Sequence, residues 1–266
     1  MKRLNQFVVV TLAVVMSSCF GETNVTEVPE GVEDAGEVTI YTKRHYDVDK
    51  ALYARFTEET GIKFNIEKAK ASELMVRMQE EGELSPADIF LTADVAALVR
   101  ANDMGLLQAS NSEFLNSTVP AHLRDENGMW FGMTKRARIV VYSTERVDPS
   151  TLSTYEALTD EQWKERILVR SSTNGYNQSL MAYMIHHIGG DSAQAWATGV
   201  VANMAQEPKG NDRDQVKFIA AGLGDLAIVN TYYIGLLLSS DVEEERLAGE
   251  AIGVFFPNQD AQGTHI

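Results

Sequence analysis

The chain has 266 residues, 44% apolar and 23% charged, a composition that excludes wholesale disorder and allows two domains. Acids outnumber bases 38 to 23, for a net charge of −15, and such a surface repels phosphate backbones, so no nucleic-acid partner is expected. A single cysteine, Cys19, rules out a disulfide framework and any site built from several thiolates.

Lys2 and Arg3 precede an apolar run over 7–16, broken only by Thr11, and Ser17, Ser18 and Cys19 follow. This is the layout of a secretory signal, too short to span a bilayer as a mature helix. The cysteine after two small residues resembles a bacterial lipobox, with Met16 in place of the usual branched residue. Residues 1–18 are therefore expected to be a signal peptide, and lipid on Cys19 to anchor the remainder at a membrane, the alternative being plain secretion with an incidental cysteine and a free protein after cleavage. Losing Lys2 and Arg3 with that peptide takes the charge to −17. Residues 19–37 carry six acids, no base, Pro29 and three glycines, which reads as a flexible acidic tether.

The first regular element is Val38-Thr39-Ile40-Tyr41, a β-branched run after a glycine. Leu52, Tyr53 and Phe56 have helical spacing over 49–59, and Gly61 ends that helix. Phe64-Asn65-Ile66 alternates as a strand. Ser72 is a candidate cap for a helix bearing Leu74, Met75 and Met78, closed by Gly82. A buried strand is expected over 87–91 and a helix over 95–99. This β-α rhythm predicts a parallel sheet with helices on its faces. Residues 106–132 read as irregular.

A second α/β block follows, with strands at 138–142, 167–169, 226–229 and 251–256. Its helices are expected over 177–188, 192–204, 213–222, 233–238 and 241–249. Two blocks, with strands near 138 and 252 able to cross between them, suggest two lobes around a cleft.

Chemistry-bearing residues gather just beyond strand ends, where open α/β sheets present their ligands. His45-Tyr46 follows the first strand. Tyr176 follows the strand at 167–169 through Ser171-Ser172-Thr173-Asn174-Gly175, and Tyr232-Tyr233 follows the strand at 226–229. A single such tyrosine is ordinarily a half-buried packing residue. Three equivalent positions, one of them doubled, point to a site. Phenolate oxygen is a hard anionic donor suited to small, highly charged cations. A phenol is neutral at pH 7, but a trivalent ion displaces its proton. Ferric iron is the common ion that fits. A sugar or polyamine would instead stack on the rings.

Several runs together resemble the ferric iron-binding proteins of bacterial ABC uptake systems, nearest the cyanobacterial type, over residues 38–266. They are Lys43-Arg44-His45-Tyr46-Asp47, Ser85-Pro86-Ala87-Asp88, Thr134-Lys135-Arg136-Ala137-Arg138, 170–179 and Asn230-Thr231-Tyr232-Tyr233. The resemblance implies an α/β, two-lobed periplasmic-binding-protein fold (type II). Each lobe would hold a mixed sheet flanked by helices, with the ligand cleft between lobes. Lobe 1 would comprise 38–134 plus 253–266, and lobe 2 would comprise 135–252. It further implies Fe3+ as transported ligand, an inner-membrane ABC permease as partner, a monomer, a periplasmic location and no enzyme activity. Residue by residue, Tyr46, Tyr176, Tyr232 and Tyr233 match the tyrosine ligands. His45 matches a histidine that ligates in some members and neighbours the metal in others. Arg136 matches a basic residue near the metal. Four phenolates on a trivalent ion leave one negative charge, which Arg136, or failing that Arg44, would balance. Members of that family continue past the position equivalent to Ile266, so lobe 1 is expected to be incomplete in its C-terminal part.

Weaker signals are set aside. Gly222-Leu223-Gly224-Asp225-Leu226-Ala227 matches a dinucleotide fingerprint in the wrong helix–strand order. His186 and His187 should diverge on a helix, His122 and His265 have no neighbouring partner, and Asn211-Asp212-Arg213-Asp214 reads as a helix cap. Two competing functions stay open at this stage. One is an organic-cation or polyamine receptor of the same fold, which would need carboxylates at the strand ends. The other is an enzyme, for which only His45 and Asp47 offer an acid–base pair, a pair that a loop salt bridge explains equally well.

Overall fold

The computed structural model describes residues 23–44 and 46–266. The expected signal peptide, the lipidated Cys19 and the candidate ligand His45 lie outside the described residues. The chain divides into two units, residues 1–133 and 134–266.

The first unit is built on a four-stranded sheet in the order β1-β3-β2-β4, with β1 Thr23–Val25, β2 Glu37–Thr42, β3 Lys63–Lys68 and β4 Ile89–Leu91. β2 runs parallel to both β3 and β4, as the β-α rhythm predicts, and β1 is antiparallel to β3. Strand alternation divides the apolar residues between two faces. Ile40, Phe64 and Ile66 form one small core with Tyr53 of helix α1 (Asp47–Thr60). Tyr41 meets Leu74 and Met78 of helix α2 (Ala71–Glu81) on the other face. Gly61 ends α1 with φ 73°, a left-handed backbone that glycine adopts without strain. Helix α3 (Val95–Asp103) starts on an Asp94 side chain that accepts from the Ala97 amide.

Three expectations for this unit need correction. Residues 23–37 are not a free tether: the Thr26 amide donates to the Phe64 carbonyl at 3.0 Å, the Ala35 amide donates to the Gly61 carbonyl at 3.0 Å, and Lys63 pairs with Asp34 at 2.7 Å. The acidic composition hid a segment held by backbone bonds, which composition does not report. Helix α2 begins at Ala71, with Lys70 rather than Ser72 at its cap. Within 106–132 a short helix α4 (Glu113–Thr118) forms on a Ser112 cap, its Phe114 exposed, so it carries no buried stripe to announce it. In the Ser85–Asp88 run, the Asp88 carboxylate accepts from the Thr39 amide at 2.8 Å, fastening the approach to β4 against β2.

The second unit holds the sheet β6-β7-β5-β8, made of β5 Arg138–Ser143, β6 Ile167–Leu168, β7 Leu226–Asn230 and β8 Ile252–Phe255. β5 is antiparallel to β7 and β8, and β6 is parallel to β7. Both faces are covered, so β5 and β7 are almost continuously apolar and buried. Val140, Leu226 and Ile228 face a core with Trp163, Leu180 and Met184. Ile139, Val141, Ala227 and Val229 face a second core with Val216, Ile219 and Leu237. Helices α5 (Gly175–Ile188) and α6 (Gly190–Ala202) serve the first core. Helices α7 (Asp212–Ala220), α8 (Tyr232–Leu238) and α9 (Glu243–Glu250) serve the second. Gly253 lies opposite Tyr142, and a Cβ there would sit 2.2 Å from the phenol ring, so any other residue would displace that ring.

The lobe boundary also moves. Residues 253–266, expected with lobe 1, belong to the second unit, because β8 pairs with β5 and the His265 carbonyl accepts from the Arg138 amide at 2.8 Å. The strands near 138 and 252, expected to cross between blocks, are therefore neighbours in one sheet. Asn211 does cap α7, accepting from the Arg213 amide at 2.9 Å while Asp214 reaches back to the Asn211 amide at 2.6 Å.

Candidate functional site

The second unit brings three of the expected phenols together at two helix starts. The Asn174 side chain accepts from the Tyr176 amide at 3.0 Å and so opens α5. Tyr176, Leu180 and Met184 are spaced four residues apart; the last two are buried, which leaves Tyr176 half-buried at the end of the apolar stripe. In α8 the buried Ile234 and Leu237 anchor the helix in the core and leave Tyr232 and Tyr233 at its start. Thr231 just before them is tied to Ala137: its amide donates to the Ala137 carbonyl at 3.0 Å and its hydroxyl accepts from the Ala137 amide at 3.2 Å.

The Tyr176 and Tyr232 hydroxyls are 3.3 Å apart, and the rings of Tyr232 and Tyr233 lie 4.2 Å centroid to centroid. Burial, with the neighbouring hydroxyls of Tyr176 and Tyr233 adding to it, pushes the Tyr232 phenol far above its ordinary value. Phenol oxygens gathered this closely are a poor arrangement for several free negative charges. They suit a highly charged cation that replaces the protons. Among the described residues no group of three or more His, Cys, Asp or Glu side chains could hold a metal, so phenol oxygens are the donors this unit offers in number.

Positive charge surrounds the cluster. The Arg136 guanidinium lies 4.5 Å from the centre of the Tyr176 ring, with Arg170 at 5.9 Å and Arg138 at 6.0 Å. Arg136, Arg138, Tyr176, Asn230 and His265 line a recess of about 10 Å³. His265 is not solitary, contrary to the sequence expectation: its Nε2 is 2.8 Å from the Ser179 hydroxyl and its ring lies 5.2 Å from that of Tyr183. Burial, reinforced by the charges of Arg136 and Arg138, pushes this imidazole down to about 4. His186 and His187 also differ from expectation, meeting edge to face at 4.9 Å instead of splaying.

Tyr46 and Arg44 belong to the first unit. Tyr46 directly precedes α1, and its ring lies 5.1 Å from the Arg44 guanidinium. Arg44 is held by Asp49 in a two-point ion pair, at 2.8 and 3.0 Å. With Lys68 these residues line a recess of about 100 Å³. Asp47, the carboxylate weighed for acid–base work, pairs with Lys50 at 2.8 Å on an exposed turn.

Sequence reasoning passed over a buried polar cluster beneath the phenols. Arg138 and Asp212 are 2% and 0% exposed and pair at 2.5 Å. Arg170 reaches the other Asp212 oxygen at 3.2 Å. The available signals were an arginine opening an otherwise apolar strand and an aspartate in the first turn of a helix. Their partnership across 74 residues is visible only in the fold.

Residues 85–243 match the family described as bacterial extracellular solute-binding protein. The iron uptake protein A1 of Synechocystis sp. (strain PCC 6803) is 46% identical over 260 residues, 98% of this chain and 72% of that protein. Iron uptake protein A2 of the same organism is 45% identical over 232 residues, 86% of this chain and 65% of that protein. The chain thus spans about two thirds to three quarters of these relatives' length. Among solved structures, a Trichodesmium protein in complex with iron and citrate superposes with a TM-score of 0.82 at 46% identity, covering 86% of this chain and 72% of that one. The two-lobed α/β architecture expected from the sequence is that of these structural neighbours. The chain belongs to the bacterial extracellular solute-binding protein family.

Proposed function

We infer that the chain is the ferric iron receptor of an ABC uptake system, binding Fe3+ as cargo rather than as a resident cofactor and performing no catalysis. The observation that carries this reading is the Tyr176–Tyr232–Tyr233 cluster, three hard donors on two helix starts within one unit. The relatives named for iron uptake support it. Tyr46, and His45 beside it, complete the proposed donor set by residue-by-residue resemblance. The carboxylate beneath the cluster, Asp212, is already paired with Arg138 and Arg170, whereas a polyamine receptor would require carboxylates open to a cation.

Arg136 supplies the balancing charge in this reading. Its guanidinium lies over the Tyr176 ring, where a negative phenolate is attracted to it. Arg44 serves that role less well, since Asp49 already engages it at two points.

Periplasmic residence, delivery of iron to an inner-membrane permease as a monomer, and a lipid anchor on Cys19 complete the proposal. Replacing Cys19 with Ala should release the protein from the membrane fraction; membrane association that persists unchanged contradicts the anchor.

The cargo assignment is tested by heating the protein with and without ferric citrate. A ligand that binds only the native state stabilises it by about 4 kcal/mol at a thousandfold excess over the dissociation constant. An increase in melting temperature of several degrees is expected with ferric citrate, and none with citrate alone. Equal melting temperatures at ferric excess contradict the assignment.

A further inference from the structure

We propose that Arg138 is a positioning residue for the phenol cluster: its buried guanidinium ties the start of α5 to the end of β7 and so sets the spacing between Tyr176 and the Tyr232–Tyr233 pair. This proposal rests on the ferric reading above.

The argument starts from where the donors of one planar group go. Nη2 of Arg138 donates to Asn177 Oδ1 at 2.6 Å. Nη1 donates to Asp212 Oδ2 at 2.5 Å and to Asn230 Oδ1 at 3.3 Å. Asn177 directly follows Tyr176, and its own amide group donates to the carbonyls of Arg170 at 2.7 Å and Ser171 at 3.2 Å, closing the loop that leads into α5. Asn230 ends β7 two residues before Tyr232, and its backbone amide donates to the same Asp212 oxygen at 2.9 Å. The two tyrosine-bearing segments, more than fifty residues apart in sequence, thus share one rigid group.

An arginine is needed for this arrangement. Its fork of donors has fixed directions, whereas a lysine presents one compact charge that cannot hold both asparagines and the aspartate in the same geometry. A buried ion pair is by itself weak grounds for stability, because desolvation offsets most of the attraction. The Arg138 Nε has no hydrogen-bond partner, so the group is not arranged to satisfy every donor. What the arrangement fixes is relative position. The 3.3 Å between the Tyr176 and Tyr232 hydroxyls is the quantity it controls.

The test compares Arg138→Lys and Asn177→Ala with wild type and with Val200→Ala, a core variant in α6 that touches none of these groups. Three properties are measured: ferric affinity in competition with citrate, the visible phenolate-to-iron band, and the iron-free melting temperature. Arg138→Lys and Asn177→Ala should bind ferric iron roughly 10–100-fold more weakly, the range typical of groups that orient metal ligands, and should shift the band. Val200→Ala should melt lower while keeping both affinity and band. If Arg138→Lys does not fold, Asn177→Ala decides, because it leaves the Arg138–Asp212 pair intact. Wild-type affinity and an unshifted band in Asn177→Ala overturn the proposal. So does a loss of affinity no larger than that of Val200→Ala. Failure of the ferric reading looks different: wild type itself would then show no band.

Discussion

Ferric affinity should collapse in mild acid, by roughly ten-thousandfold for each pH unit. Every phenol that ligates must give up its proton, and each proton displaced changes the dissociation constant about tenfold per pH unit. Three phenols meet in the second unit, Tyr46 is the fourth of the proposed donor set, and that number sets the slope. The sign follows from the direction of proton flow. Binding releases protons, so acid opposes binding and alkali favours it. Tyr232, whose phenol is held far above its ordinary value, stays protonated in the iron-free protein throughout the neutral range. The share of the slope that Tyr232 contributes should therefore not level off below pH 9. Competition with a chelator of known pH behaviour measures it, and proton release in weakly buffered solution counts the phenols directly. A slope near zero would mean that the phenols are not ligands.

Tyr232→Phe should cost more than a hundredfold in ferric affinity while leaving the fold nearly unchanged. A group that only orients a ligand is typically worth about 10–100-fold, and a ligand itself exceeds that. The ring remains to stack on Tyr233 and Ile234 remains in its core, so the variant loses one hydroxyl and its contacts with the Tyr176 and Tyr233 hydroxyls. A hydrogen bond of that kind contributes about 1 kcal/mol, a small change in melting temperature. Tyr183→Phe is the matched control. Its hydroxyl donates to the Gly263 carbonyl rather than to any of the proposed ligands, and its loss should leave ferric affinity as it was. Equal affinities in wild type and Tyr232→Phe would remove Tyr232 from the site.

The phenols were legible in the sequence because their positions are topological. A residue just past a strand end faces the same side of an α/β sheet whatever lies between, and Tyr176 and Tyr232 both stand at helix starts that follow strands β6 and β7. The parallel core of the first sheet was legible for a related reason, since its alternating apolar residues and helix-ending glycines repeat at short range. Partnerships across long stretches of chain were not. Arg138 looks like an odd residue in an apolar strand until Asp212 arrives from a helix 74 residues away. His265 looks solitary until the chain end folds back over Ser179. Residues 23–37 look like a tether because their side chains are acidic, yet they are held mostly through backbone groups, which any sequence possesses. The placement of β8 turned on the same limit. A strand of four residues does not say which sheet edge it will join, and β5 accepted it through register with Val140, Val141 and Tyr142.

The most direct test of the ferric reading is the colour of the protein when ferric iron is added to the metal-free form. Tyrosinate bound to ferric iron transfers charge to the metal and absorbs visible light, which neither component does alone in this way. The account predicts a visible band that grows to one equivalent of iron, fades on acidification, and loses intensity in Tyr176→Phe, Tyr232→Phe and Tyr233→Phe. A folded protein that stays colourless at ferric excess contradicts it.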